Sequence, residues 1–323
     1  MKKIKDYRNP IMVVSVVGIV IALFFFPFLF MKFDQKSEAA PQKTAPIASK
    51  TSENACELTI QVSGSDIPID LEEYVIGVVA AEMPVGFHPE ALKAQGIAAR
   101  TYVLKSTNYG QTQIEPTVAR QVFYDEDTRK KNWNDSYEDY EAKVREAVES
   151  TRGEVIQYNG ELITAMFHSM SNGMTESSVN YSGTELPYLQ SVSSTDFQYA
   201  DNYETTTTFT LEEWNSKLNT QSTIEEIKQI RLQKNNTGRV ETVSMKDHEW
   251  TGRDFRTLLG LRSTDFQVKV QNGQVVVTTE GYGHGVGMSQ YGADAMADKG
   301  STAHEIIAHY YQNTSIEKLN CEN

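Results

Sequence analysis

From Ile11 to Met31 the chain reads IMVVSVVGIVIALFFFPFLFM, 21 residues without a single charge. No small globular core needs such a run, whereas a helix of that length covers a bilayer core of roughly 30 Å. Lys2, Lys3, Lys5 and Arg8 precede it, which by the positive-inside rule puts residues 1–10 in the cytoplasm and everything after Lys32 outside. A cleaved signal peptide ending near Ser37-Glu38-Ala39 is the weaker reading, because the apolar run exceeds a signal core and charged residues separate it from that site. Both readings make the bulk of the chain extracytoplasmic. Four segments are therefore expected: a cytoplasmic start at 1–10, a transmembrane helix at 11–31, a linker at 32–56 rich in Ala, Ser, Thr, Lys and Pro, and a folded domain at 57–319.

Charge follows the same division. The 323 residues carry 30 Lys+Arg against 43 Asp+Glu, a net charge of −13. The first 36 residues hold six basic and two acidic side chains, leaving 24 against 41 in the remainder. An exterior domain this acidic is a poor partner for nucleic acid, which needs a surplus of Lys and Arg on its binding face. An acidic wall polymer would have to be held by a local basic cluster, since the overall field repels it. Only two cysteines occur, Cys56 and Cys321, which excludes a disulfide-dense scaffold. A disulfide joining the ends of the domain and two unpaired thiols both remain open.

Within 57–319 helical and strand periodicities are mixed. Asp70 and Glu73 form a capping-box-like start to LEEYVIGVVAAEM, which Pro84 ends, and Pro89 opens a second helix, PEALKAQGIAARTYVLKS. Tyr137 to Thr151 reads as an amphipathic helix. VIQYNGELITAMF and FQVKVQNGQVVVTTE read as hairpins about Asn159-Gly160 and Asn272-Gly273, and a capping box at Thr210 and Glu213 precedes EEWNSKL. The last helix is expected from about Ser301 to Tyr311. Helices and hairpins do not alternate strictly, so the fold class is α+β, a globular extracytoplasmic domain with a cleft and one N-terminal transmembrane helix.

Two segments carry more than local structure requires. Glu82 falls at the C-terminal end of an apolar helix, where the helix dipole and scarce solvation both raise a carboxyl pKa. A carboxyl kept protonated in a cleft is what cleavage of a glycosidic bond demands of its general acid. The plainer role, pairing with Arg100 or Lys93, is the one this segment alone favours. The second segment is Gly281-Tyr-Gly-His-Gly-Val-Gly-Met-Ser-Gln-Tyr-Gly-Ala293. Its alternate glycines would let backbone approach a ligand, with His284, Ser289, Gln290 and Tyr291 suited to sugar hydroxyls. It matches neither a dinucleotide fingerprint nor a P-loop.

Tyr74-Val-Ile-Gly-Val-Val-Ala-Ala-Glu-Met-Pro84, Glu90-Ala-Leu-Lys-Ala-Gln95, Ala98-Ala-Arg-Thr-Tyr102 and Gly283-His-Gly-Val-Gly-Met-Ser-Gln-Tyr-Gly-Ala293 together strongly resemble the stage II sporulation protein D family of endospore-forming bacteria. Gln121-Val-Phe-Tyr124, Pro187-Tyr-Leu189, Arg253-Asp-Phe-Arg256 and His309-Tyr-Tyr311 extend the resemblance across the domain in order. It implies a peptidoglycan lytic transglycosylase at the mother-cell septal membrane during engulfment. The family's catalytic glutamate falls on Glu82 and its motif arginine on Arg100. One carboxylate suffices in such an enzyme, because the C6 hydroxyl of N-acetylmuramic acid replaces water and yields a 1,6-anhydro end. Lys93, Arg100, Ser169, His284, Ser289, Gln290 and Tyr291 are then the substrate-binding candidates. The resemblance also implies partners, the sporulation membrane protein M and the amidase P, and an alternative function as a non-catalytic glycan-binding enhancer of a cell-wall amidase. Some relatives carry a zinc-binding Cys and His set beside the first hairpin, but here Phe167-His-Ser-Met-Ser-Asn-Gly173 has no cysteine. His304 and His309 stand five apart rather than the four of H-E-x-x-H, so neither metal nor cofactor is expected.

Overall fold

The computed structural model describes residues 58–194, 200 and 202–319. It opens with a small antiparallel pair, β1 (Thr59–Ile60) and β2 (Ile69–Asp70), that runs directly into helix α1 (Leu71–Glu82). Asp70 caps α1 by accepting from the backbone N–H groups of Glu72 and Glu73. The expected reciprocal bond is not made, because Glu73 turns instead to Arg145. Pro84 cannot continue the helix, and Pro89 opens α2 (Pro89–Ser106), whose fixed φ suits a first turn. Helices α3 (Glu126–Trp133) and α4 (Tyr137–Ser150) follow, then β3 (Glu154–Tyr158) and β4 (Glu161–Leu162). Their turn uses Asn159 and Gly160 at φ 52° and 82°, the positive values a two-residue hairpin requires.

The expected second arm of that hairpin stops at Leu162. Phe167–His168 forms a separate strand, β5, followed by β6 (Gly173–Met174), the short helix α5 (Ser178–Ser182) and β7 (Ser193–Ser194). Next come β8 (Glu204–Phe209), α6 (Leu211–Leu218), α7 (Ile224–Ile227), β9 (Arg231–Lys234), β10 (Val240–Met245), β11 (His248–Thr251), α8 (Gly252–Leu259), β12 (Asp265–Gln271) and β13 (Gln274–Glu280). The chain closes with β14 (Met288–Ser289), α9 (Gln290–Asp298), α10 (Ala303–Tyr310) and β15 (Ser315–Lys318).

The buried apolar residues fall into two clusters with no member in common. One gathers α1, α2, α4 and β3 with the late helices α9 and α10, from Ile60 through Leu189 and again from Val286 to Tyr311. The other lies wholly between Phe209 and Val277, where two three-stranded antiparallel sheets, β12-β13-β8 and β11-β10-β9, pack with α6 and α8. Its centre is aromatic: Trp214 and Phe255 meet edge to face at 5.7 Å, and Phe255 stacks on Phe266 at 5.3 Å. The fold is therefore a helical lobe, completed by the C-terminal helices, with a β-rich lobe inserted into it. This agrees with the α+β expectation.

The membrane-spanning part of that expectation is corrected. Among the described residues no helix is long and apolar enough to cross a membrane. The longest, α2, has 18 residues and carries Glu90, Lys93, Arg100 and Lys105, charges that a bilayer core disfavours. Residues 11–31 lie outside the described residues, and the location drawn from them is withdrawn with the span. Residues 1–10, the 32–56 linker, Cys56 and Cys321 likewise lie outside the described residues.

Candidate active site

Glu82 closes α1 and lines a cavity of about 530 Å³. How its carboxyl is held follows from an upstream glycine. A Cβ at Gly77 would lie 2.3 Å from the Phe123 ring, so only glycine lets the 121–124 segment lie directly on α1. That segment is tied down by the Tyr124 N–H donating to the Gly77 carbonyl at 3.1 Å and by Phe123 stacking on Tyr74 at 5.1 Å. The Val122 N–H is thereby aimed at Glu82 and donates to Oε1 at 2.9 Å. The Gln290 side chain supplies a second hydrogen bond and also reaches Gln95 Oε1 at 3.5 Å.

Burial is the largest influence on Glu82 and raises its pKa above the ordinary carboxyl value, while the bonds from Val122 and Gln290 pull it down by less. Neither Lys93 nor Arg100 is its partner. Glu82 is the one acidic side chain among the described residues lining the cavity, beside Tyr102, Arg120, His168, Tyr181, Arg256 and Tyr282.

Four of the expected site residues line this cavity together: Glu82, Ser169, His284 and Gln290. The rest have other work. Arg100 is fully buried and grips Glu72 with two nitrogens, Nε donating to Oε1 at 2.9 Å, while Nη1 donates to the Glu154 carbonyl at 3.1 Å. It joins α1, α2 and β3, so the expectation that it binds substrate is corrected: nothing in solution can reach it. Lys93 pairs with Glu90 at 2.7 Å beside Thr302 and His304, at a different surface depression. Ser289 is the N-cap of α9, its Oγ accepting from the Gly292 N–H at 3.2 Å and donating to the Ser169 carbonyl at 3.2 Å. Tyr291 packs its ring edge against Phe87 at 4.8 Å. The Ser289 and Tyr291 expectations are therefore corrected to supporting the loop and helix that carry Gln290.

The glycine run serves the fold more than a ligand. Its φ values are positive at Gly281, Gly283, Gly285 and Gly287, and a Cβ at Gly287 would stand 1.9 Å from the Met166 carbonyl oxygen. The close approach is thus to the chain itself: β14 pairs in parallel with β5, Met288 against Phe167 and Ser289 against His168. This pairing sets His284 and Gln290 into the cavity next to Ser169. His284 is no free base. Its Nδ1 accepts from the Val286 N–H at 3.0 Å, its ring also bonds the Phe167 backbone, and burial with Arg256 nearby lowers its pKa to about 4. His168 is buried, which holds its pKa well below the ordinary imidazole value, and its Nδ1 donates to the Val286 carbonyl at 3.2 Å. His304 meets Glu154 at 2.8 Å and His309 the Ser193 carbonyl at 2.8 Å. Among the described residues no three His, Cys, Asp or Glu side chains are grouped to hold a metal ion.

The SpoIID family, described as Stage II sporulation protein, matches residues 67–158, the stretch that carries Glu82 and Val122. The chain is 40% identical over 257 residues to the stage II sporulation protein D of Bacillus amyloliquefaciens, covering 77% of this chain and 75% of that one. It belongs to the stage II sporulation protein D family. The member from Bacillus subtilis is 38% identical over 321 residues, with 90% of each chain covered. The amidase enhancer of Bacillus subtilis is 30% identical over 294 residues, 74% of this chain but 40% of that longer protein.

Sequence reasoning missed Tyr102, Arg120, Val122, His168, Tyr181, Arg256 and Tyr282. Some signal existed: Tyr102 ends the Ala98–Tyr102 motif and Val122 lies within Gln121-Val-Phe-Tyr124. Arg256 ends the Arg253-Asp-Phe-Arg256 segment, but a basic residue beside Phe255 on an amphipathic helix reads as a solvated face.

Proposed function

We propose that this stage II sporulation protein D family member is a peptidoglycan lytic transglycosylase in which Glu82 is both acid and base. The observation carrying this reading is a single carboxyl, protonated more readily than usual, as the one acidic side chain among the described residues lining the cavity. A hydrolase of the usual kind needs a second carboxylate to activate water or form a covalent intermediate. An intramolecular nucleophile needs none. In the proposed step Glu82 donates its proton to the glycosidic oxygen between N-acetylmuramic acid and N-acetylglucosamine as the C1–O4 bond breaks. The carboxylate so formed takes the proton of the muramic C6 hydroxyl as O6 bonds to C1, which regenerates the acid and leaves a 1,6-anhydro end. Val122 and Gln290 fix the carboxyl through both halves.

The test is incubation of the protein with purified glycan strands and mass spectrometry of the products. Wild type is expected to release 1,6-anhydromuramic ends and Glu82→Gln none; equal product profiles from the two would sink the mechanism. The same reading makes the sporulation membrane protein M and the amidase P its partners, with stem peptides trimmed before the glycan is cut. The kinship with an amidase enhancer supports a second reading, a glycan-binding module that stimulates an amidase. Under that reading Glu82→Gln would leave amidase stimulation intact while no anhydro ends form from either protein.

A further inference from the structure

The helical lobe neutralises its buried arginines. Arg100 holds Glu72 and Arg129 holds Glu141, the latter with Nε to Oε2 at 2.8 Å and Nη2 to Oε1 at 3.0 Å. Arg256, on α8 of the inserted lobe, is different. It is half-buried, and its guanidinium donates from Nε to the Leu261 carbonyl at 3.2 Å. The titratable groups of the described residues that interact with it are Tyr181, Tyr282, Arg253, His284 and His168, none of them a carboxylate. Among the described residues it has no counter-ion, and a partly desolvated cation in that state is costly to keep, so its position matters. Arg256 lines the Glu82 cavity and also a neighbouring cavity of about 670 Å³, the two sharing Tyr181, Arg256 and His284.

The acidic side chains lining the neighbouring cavity are Glu176, Glu241 and Asp254, and none of the three is among the groups acting on Arg256. Glu176 is already bonded by four donors: the Ser177 N–H at 2.9 Å, Asn180 Nδ2 at 2.9 Å, Asn235 Nδ2 at 2.7 Å and Thr237 Oγ1 at 2.9 Å. Asp254 accepts from Thr251 Oγ1 at 2.7 Å in its helix cap. Arg253, the other arginine of α8 beside the cavity, lies over the Tyr181 ring at 4.1 Å and donates to the Tyr181 carbonyl at 2.7 Å. Arg256 therefore keeps a fork of donors at the junction of the two cavities, in a domain whose overall charge repels anions.

We infer that Arg256 is a carboxylate-binding residue of the substrate site, recognising an acidic substituent on the glycan strand next to the sugar whose bond Glu82 attacks. The geometry suits it: a guanidinium binds a carboxylate through two parallel hydrogen bonds, and a strand long enough to fill both cavities must pass this junction. The inference rests on the glycan reading above. Two sources would supply the carboxylate, the lactyl group of muramic acid itself or a peptide attached to it.

Binding is measured on the full chain carrying Glu82→Gln, so that no strand is cut during the measurement. Peptide-free and peptide-bearing strands are each compared with copies whose carboxylates have been converted to methylamides. The parent is expected to bind unmodified strands at least about tenfold more tightly than methylamidated ones, the scale of one charge-assisted hydrogen-bonded contact. Adding Arg256→Gln should lower affinity for unmodified strands to the methylamide level and abolish the preference, and Arg256→Lys should keep part of it. A preference seen with peptide-free strands assigns the lactyl carboxylate, and one seen only with peptide-bearing strands assigns the peptide. Equal binding of modified and unmodified strands by the parent, or an undiminished preference in a folded Arg256→Gln protein, overturns the inference. Should Arg256→Gln unfold, the methylamide comparison on the parent and the Arg256→Lys protein decide alone. A wild type that prefers carboxylates yet releases no anhydro ends would refute the transglycosylase reading and leave this one standing.

Discussion

The two lobes treat charge in opposite ways. In the helical lobe ionisable side chains are largely consumed internally: Arg100 on Glu72, Arg129 on Glu141, Lys93 on Glu90. From the lobe's conspicuous motifs Glu82, Tyr102, Val122, His284 and Gln290 line the cleft. The inserted lobe carries the Arg253-Asp-Phe-Arg256 segment and a core of aromatic and branched side chains, with Trp214, Phe255 and Phe266 at its centre. Yet it presents Arg256 to the cleft with no counter-ion among the described residues. A dense motif thus marks residues that must fit one another as often as residues that face the cleft.

The sharpest way to break the comparison is at Glu82. Glu82→Gln should lower the rate of anhydro-end release by roughly 10² to 10⁴, the usual contribution of general acid–base catalysis, with the melting temperature kept or raised. The sign follows from the raised carboxyl pKa. The folded state holds the proton more tightly than the unfolded chain, so the stability this group contributes is present at low pH and is lost as pH rises through its folded pKa. Urea unfolding at a series of pH values should show Glu82→Gln gaining on wild type as pH rises.

Arg100→Ala should act on the fold instead, costing about 3–5 kcal/mol in urea unfolding because Glu72 is left charged and buried. Loss of glycan binding without loss of stability would return Arg100 to the substrate site. In the inserted lobe, Trp214→Ala should cost roughly 3–5 kcal/mol through the cavity it opens. Amide exchange should then quicken between residues 204 and 280 far more than in α1 and α2; uniform quickening would mean the separate cores behave as one. Smallest is Thr210→Ala, which removes the capping box of α6 at Glu213 and should cost about 1 kcal/mol.

Local structure was largely legible. The Asn159-Gly160 and Asn272-Gly273 turns, the Thr210 cap and the Pro89 start all depend on residues adjacent in the chain, and all stand as read. The site was legible only in part. Glu82, His284, Gln290 and Ser169 do line one cavity, whereas Arg100, Lys93, Ser289 and Tyr291 came from the same motifs and do not. Proximity to a motif says that a residue is constrained, and packing, capping and ion pairing constrain as strongly as a substrate does.

What the sequence alone determined is the placement of helix starts, hairpin turns, the α+β class and the candidate acid at the end of α1, because each follows from backbone sterics, hydrogen bonding or helix polarity within a few residues. What only the tertiary structure decided is which charges meet. Val122 and Gln290 reach Glu82 across 40 and 208 positions of chain, Glu72 captures Arg100 across 28, and Arg256 arrives from another lobe. Electrostatic interactions depend on distance and burial in three dimensions, and neither is written in the spacing of residues along the chain.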